Sequence, residues 1–89
     1  MTYNGHPSYN YWNVSLWVGN DEGLYHLALD SIKHTKNRKQ AAEAMLDAIK
    51  EAMQLGAIKG KQEHYIPTTP DGAPYTVASL IHAMSGLVP

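Results

Sequence analysis

Cysteine and phenylalanine are both missing from this chain of 89 residues, and only 17% of its residues are charged. Without cysteine there are no disulfides and no thiolate zinc sites, so stability must come from packing or oligomerisation, and a cytoplasmic setting is the natural fit. Without phenylalanine, the bulky core groups have to be drawn from two Trp, six Tyr and the aliphatic residues. Long apolar runs are missing too. Nothing approaches the roughly 18 residues of a membrane span, and no charged segment followed by an apolar one opens the chain as a signal peptide would. A formal net charge of -1 supplies neither the basic excess usual in a nucleic-acid binder nor the acidic array of a DNA mimic.

What is present suffices for one small core. Hydrophobic residues make up 44% of the chain, too many for a disordered segment. A chain of this length folds as one domain, burying about 60 to 65% of its unfolded surface. We expect a single mainly α domain over residues 1–89, a compact bundle of three to four helices. Residues 1–7 read as an N-terminal arm and residues 57–75 as a long loop or small hairpin before the last helix.

From Ser8, a good N-cap, a helix can run to about Val18, with Trp12 and Leu16 on one face and Val14, Trp17 and Val18 on another. The strict alternation of Trp12, Val14, Leu16 and Val18 also suits a strand. Gly19 is expected to close this element, with Trp12 as a core anchor and Trp17 as a contact. Asn20-Asp21-Glu22 then caps a second helix, whose Leu24, Leu27, Ala28 and Ile32 form an apolar stripe ending at basic Lys33 and His34. A third begins after Asn37 and lines up Ala41, Ala44, Met45, Ala48, Ile49, Ala52 and Met53, with Gly56 stopping it in the left-handed conformation. Pro70-Asp71-Gly72 marks a turn; His64-Tyr65-Ile66 can lead into it as a strand and Ala73–Tyr75 return. Thr76 caps a last helix that buries Val77, Leu80, Ile81 and Met84 and ends at Gly86.

Signs of chemistry are few. The five His include no pair at i, i+4 spacing, so no metal is expected, and no cofactor motif is present. Asp21 and Glu22 are explained by helix capping. The serines lack elbow glycines and Gly56–Gly60 lacks the Lys-Ser/Thr of a phosphate loop. Non-enzymatic binding is the expectation. Tyr9, Tyr11, Trp17 and Tyr65 are amphipathic anchors of the kind that dominate interfaces, with Lys36, Arg38 and Lys39 as a polar rim. The run Lys33 to Lys39 is either a solvated helix junction or a phosphate-binding patch.

Tyr9, Trp12-Asn13-Val14-Ser15-Leu16-Trp17-Val18 and Asn20-Asp21-Glu22-Gly23-Leu24-Tyr25 together resemble the opening of small uncharacterised proteins from phages, prophages and other mobile elements. In that family the pattern reads Asn-Tyr-Glu-Thr-Trp-Asn-Val-Ala-Leu-Trp followed by Asn-Asp-Glu-Gly-Leu-Tyr; this chain departs from it at Asn10 and Tyr11. The Thr69-Pro70-Asp71-Gly72 turn before a short final helix is similar as well. The resemblance implies an accessory protein that binds a host protein stoichiometrically in the host cytoplasm. An inhibitor of a host defence system, anti-CRISPR or anti-restriction, is the leading expectation. A homodimer and a small nucleic-acid-binding factor using Lys33 to Lys39 are the competing ones.

Overall fold

The computed structural model describes residues 5–56, 61–63 (backbone only) and 66–87. Each helix begins where a side chain accepts an otherwise unpaired N–H. Ser8, extended at φ -157° and ψ 169°, accepts from Tyr11 N–H and starts α1 (Tyr9–Asn20). The region that could have been strand or helix is therefore helix. Gly19 lies inside α1 rather than closing it, because Asp21 does that work. The Asp21 N–H donates to the Trp17 carbonyl at 2.8 Å while its side chain accepts Leu24 N–H at 3.0 Å. One residue thus ends α1 and caps α2 (Glu22–Lys33), with Glu22 and Lys33 placed to suit the helix dipole.

Asn37 caps α3 (Arg38–Gln54) by accepting from Gln40 N–H at 2.8 Å, and Gly56 follows at φ +75°, where a side chain would be strained. Two short antiparallel strands come next, β1 (Lys61–Glu63) and β2 (Ile66–Thr68), in the register Lys61↔Thr68. The strand partner of β2 is thus upstream. The expected return over Ala73–Tyr75 is limited to a bridge between Thr68 and Pro74, flanked by the bonds from Thr69 N–H to the Ala73 carbonyl at 2.8 Å and from Tyr75 N–H to the Pro67 carbonyl at 2.9 Å. Pro67 and Pro74 lack the N–H that a longer ladder requires. The last helix, α4 (Val77–Ser85), opens on a reciprocal capping box between Thr76 and Ser79 and stops at Gly86.

The helices form a closed cycle in which α1 and α3 each pack against both α2 and α4, and β2 rests on α3. Val14, Val18, Leu24, Ala28, Met45, Ile49, Leu80 and Met84 make the centre of the core. Within α3 the buried stripe runs through Ala41, Ala42, Met45 and Ile49, and Ala44 faces solvent instead. Ser79 and Ala83 of α4 are buried where Val77 and Ile81 were expected to be; those two are half-buried against the core. Among the described residues Tyr75 is the one fully buried aromatic. Its hydroxyl has no hydrogen-bond partner among them, and burial, reinforced by the charge of Asp21, pushes its ionisation well above the ordinary tyrosine range.

An unpaired buried hydroxyl is a cost that a ring of the same shape does not carry. Tyr75→Phe is expected to raise unfolding stability by about 1 kcal/mol, whereas Tyr75→Ala should cost about 3–5 kcal/mol through the cavity it leaves. Urea denaturation of the two variants checks this; a loss of stability in Tyr75→Phe would mean that the hydroxyl is paired.

Candidate functional site

Helix α1 carries different work on its two sides. Towards the turn at Thr69–Gly72, Asn13 Nδ2 and Trp17 Nε1 both donate to the same Asp71 carboxylate oxygen, each at 2.9 Å. They can share it because they stand one helical turn apart. The turn is built around Thr69, whose hydroxyl donates to Asn13 Oδ1 at 2.5 Å and accepts from Ala73 N–H at 3.1 Å. Asn13 and Thr69 are buried, and the Gly72 N–H closes the turn on the Thr69 carbonyl at 2.9 Å. The two hydrogen bonds, Asn13 first and then Trp17, hold the Asp71 carboxyl below the ordinary carboxylate range.

On the other side, α1 and α4 frame an open groove of about 520 Å³. Trp12, Ser15, Leu16 and Gly19 line it from α1, and His82, Ala83 and Ser85 from α4, with Gly5 and His6 of the arm and Gly86 and Leu87 beyond α4 also lining it. Neither helix contains Asp, Glu, Lys or Arg. The polar character of the wall therefore comes from two imidazoles and the serines. His6 Nδ1 and His82 Nε2 are 2.8 Å apart, and the Tyr11 ring lies 5.1 Å from that of His82. Tyr9 packs near Trp12 with ring centroids 5.7 Å apart. Tyr9 (41% exposed) and Leu16 (39%) are two of the few large apolar side chains on the surface.

The residues singled out in the sequence separate accordingly. Tyr9 and Tyr11 sit at the groove side of α1, Tyr11 half-buried against His82. Trp17 packs on the core and gives its N–H to Asp71, while Trp12 lines the groove. That reverses the expected roles of core anchor and contact, since the carboxylate that engages Trp17 lies 54 residues away. Tyr65 lies outside the described residues. Lys36, Arg38 and Lys39 are exposed at the junction of α2 and α3, and none lines the groove. They make no ion pair among the described residues, whereas neighbouring His34 stands 3.2 Å from Asp30. Sequence reasoning missed Leu16, His6 and His82 as groove residues. The available signal was the absence of charge from both helices.

Among the described residues no group of three or more His, Cys, Asp or Glu is placed to hold a metal ion. Ser15 lines the same groove as the imidazoles, but its hydroxyl is buried without a hydrogen-bond partner among the described residues, so it forms no nucleophile–base pair with either ring. No described helix is long and apolar enough to cross a membrane. The model of a family of unknown function (DUF7249) matches residues 1–77, a span that contains Asn13, Trp17, Thr69 and Asp71 and ends at the start of α4. Comparison with curated proteins and with solved structures finds no match.

Two predictions concern the network on the turn side. Asn13→Ala and Thr69→Val should each cost about 1–3 kcal/mol by orphaning buried polar groups, and the double variant should cost less than the sum because both belong to one network; a double-mutant cycle in urea reads this. For Asp71 the folded value is depressed, so the unfolded chain takes up its proton first as pH falls. The contribution is complete above the ordinary Asp value of about 3.9 and fades as pH drops through the folded value below it. Acid titration of stability should therefore flatten in Asp71→Asn over that range, and an unchanged profile would remove Asp71 from the account.

Proposed function

The chain belongs to this family of unknown function, DUF7249, and with no activity to carry over from it we propose that the protein works by stoichiometric binding of another protein through the α1/α4 face. The observation behind this is the groove between two helices that contain no Asp, Glu, Lys or Arg, with Tyr9, Trp12 and Leu16 around it. The centres of protein interfaces are depleted in charge and enriched in Trp and Tyr. A few such anchors, shielded from water by their surroundings, carry most of the binding energy. Trp12 therefore takes the place of Trp17 among the proposed anchors, beside Tyr9 and Tyr11.

The resemblance of the first two helices to proteins of phages and prophages supports a mobile-element origin and, with it, a host protein as partner. A host defence assembly, a CRISPR or restriction complex in the host cytoplasm, is the partner class we favour, with the groove face blocking a working surface of that complex. Lys36, Arg38 and Lys39 supply a separate basic patch. Being exposed and free of ion pairs among the described residues, they also support a second reading, contact with nucleic-acid phosphates.

Paired variants distinguish the two readings. Leu16→Glu places a charge on the apolar face at an exposed position and should weaken capture of a purified defence complex at least about tenfold, or about 1.4 kcal/mol. The triple variant Lys36→Ala, Arg38→Ala, Lys39→Ala should change mainly the association rate and its salt dependence. Equal binding by Leu16→Glu across several defence complexes would count against the groove. Salt-sensitive binding to random DNA that disappears in the triple variant would establish the second reading. Sedimentation of the free protein reports whether the same face pairs two copies of this chain.

A further inference from the structure

We propose that the hydrogen bond between His6 and His82 is a proton-gated clasp: it holds Gly5 and His6 as part of the wall of the α1/α4 groove, and it releases them when both rings are charged. The effect on a partner rests on the protein-binding reading of the groove; the clasp itself does not.

The two rings come from opposite ends of the chain, 76 residues apart. Their nitrogens face one another at 2.8 Å, with centroids 5.0 Å apart and the planes 74° from parallel. Such a bond needs one N–H and one lone pair. A neutral pair supplies both. A pair carrying one extra proton still does so, and its bond is stronger for being charge-assisted. Once both rings are imidazolium, every ring nitrogen is a donor, no acceptor remains, and two like charges stand at contact. The clasp is therefore closed for two protonation states and open for the third.

Among the described residues, no carboxylate pairs with either ring to absorb the second charge. The titratable groups facing His82 among them are His6 from the arm and Tyr11 from α1. Its own helix carries no other charged or titratable side chain, and no residue of α3, which packs on α4 from the core side, lines the groove. His82 stands in the last turn of α4, where the helix dipole favours one positive charge. That field acts on His82 alike whether His6 is neutral or charged, so it does not offset the repulsion between two imidazoliums. The open state binds one proton more than the closed state, so falling pH drives opening.

Gly5 and His6 line the groove, so release removes their part of its wall. Amide relaxation by NMR on the whole chain tests this without any partner. Between about pH 7.5 and pH 5, the heteronuclear NOE of the Gly5 and His6 amides should fall from values like those of α1 to those of a free tail, following the second imidazole to titrate. In His82→Gln the arm should show the same order at both ends of the range. Rigid arm amides in the wild type after both rings have titrated would overturn the clasp, as would an undiminished transition in His82→Gln. Failure to find any protein partner leaves these results standing and sinks only the binding reading. A partner bound equally well with the arm closed and open would overturn the regulatory role.

Discussion

The Asp71 carboxylate, accepting from Asn13 and Trp17 together, joins the first helix to the turn that precedes the last one. Both walls of the groove depend on it. On one side it sets the rotation of α1, since two donors a helical turn apart can meet one oxygen in only one orientation of the helix. On the other it anchors the turn from which Tyr75 enters the core and Thr76 caps α4. The paired neutral bonds from Thr69 to Asn13 and from Ala73 to Thr69 lie behind it in the buried interior, where an unmade bond is costly. An exposed charge on a buried neutral network avoids the desolvation that a buried ion pair would incur.

That arrangement suits a core without phenylalanine. The centre is aliphatic and thioether packing around Tyr75, with alanines at Ala28, Ala41, Ala42 and Ala83 that bring the helices close. Small residues at these crossings leave little interior volume for large rings. The two tryptophans accordingly lie at the boundary, where an indole can bury its body and offer its N–H. Trp17 uses that N–H inwards on Asp71, and Trp12 turns towards the groove. The chain thus stabilises a small domain with the polar edge of one aromatic and presents another beside Tyr9.

Local features of the fold were legible and distant pairings were not. Ser8, Asn37 and Thr76 read as caps and act as caps, and within the capping run Asn20-Asp21-Glu22 the cap is Asp21, because capping depends on a side chain and an N–H two or three residues later. The two faces of α1 were also legible from 3.6-residue spacing, Val14, Trp17 and Val18 against Trp12 and Leu16. Which face turned inward was not, because that was decided by Asp71 and Thr69, far along the chain. The misplacement of Gly19 has the same kind of origin: glycine suggests a helix end, but Asp21 two residues on supplies a better one. Likewise α4 buries Ser79 because its hydroxyl is already paired with Thr76. The His6–His82 pair had no sequence signal at all, since spacing within one helix was the pattern that could have revealed it.

The segment from Tyr9 to Tyr25 can now be divided by what each residue does. Asn13 and Trp17 hold the turn, Val14 and Val18 fill the core, and Asp21 links two helices. Gly23 belongs with them, since a Cβ there would stand 3.3 Å from the Asp21 carboxylate oxygen that caps α2. Most of this segment is therefore occupied in making the fold. Trp12 and Leu16, at the same helical spacing but on the other face, are directed to the groove. Their indole and isobutyl groups, next to Tyr9 on a helix without charge, leave an apolar strip bordering solvent. It is on that strip, opposite the network that orients it, that the proposed partner would seat.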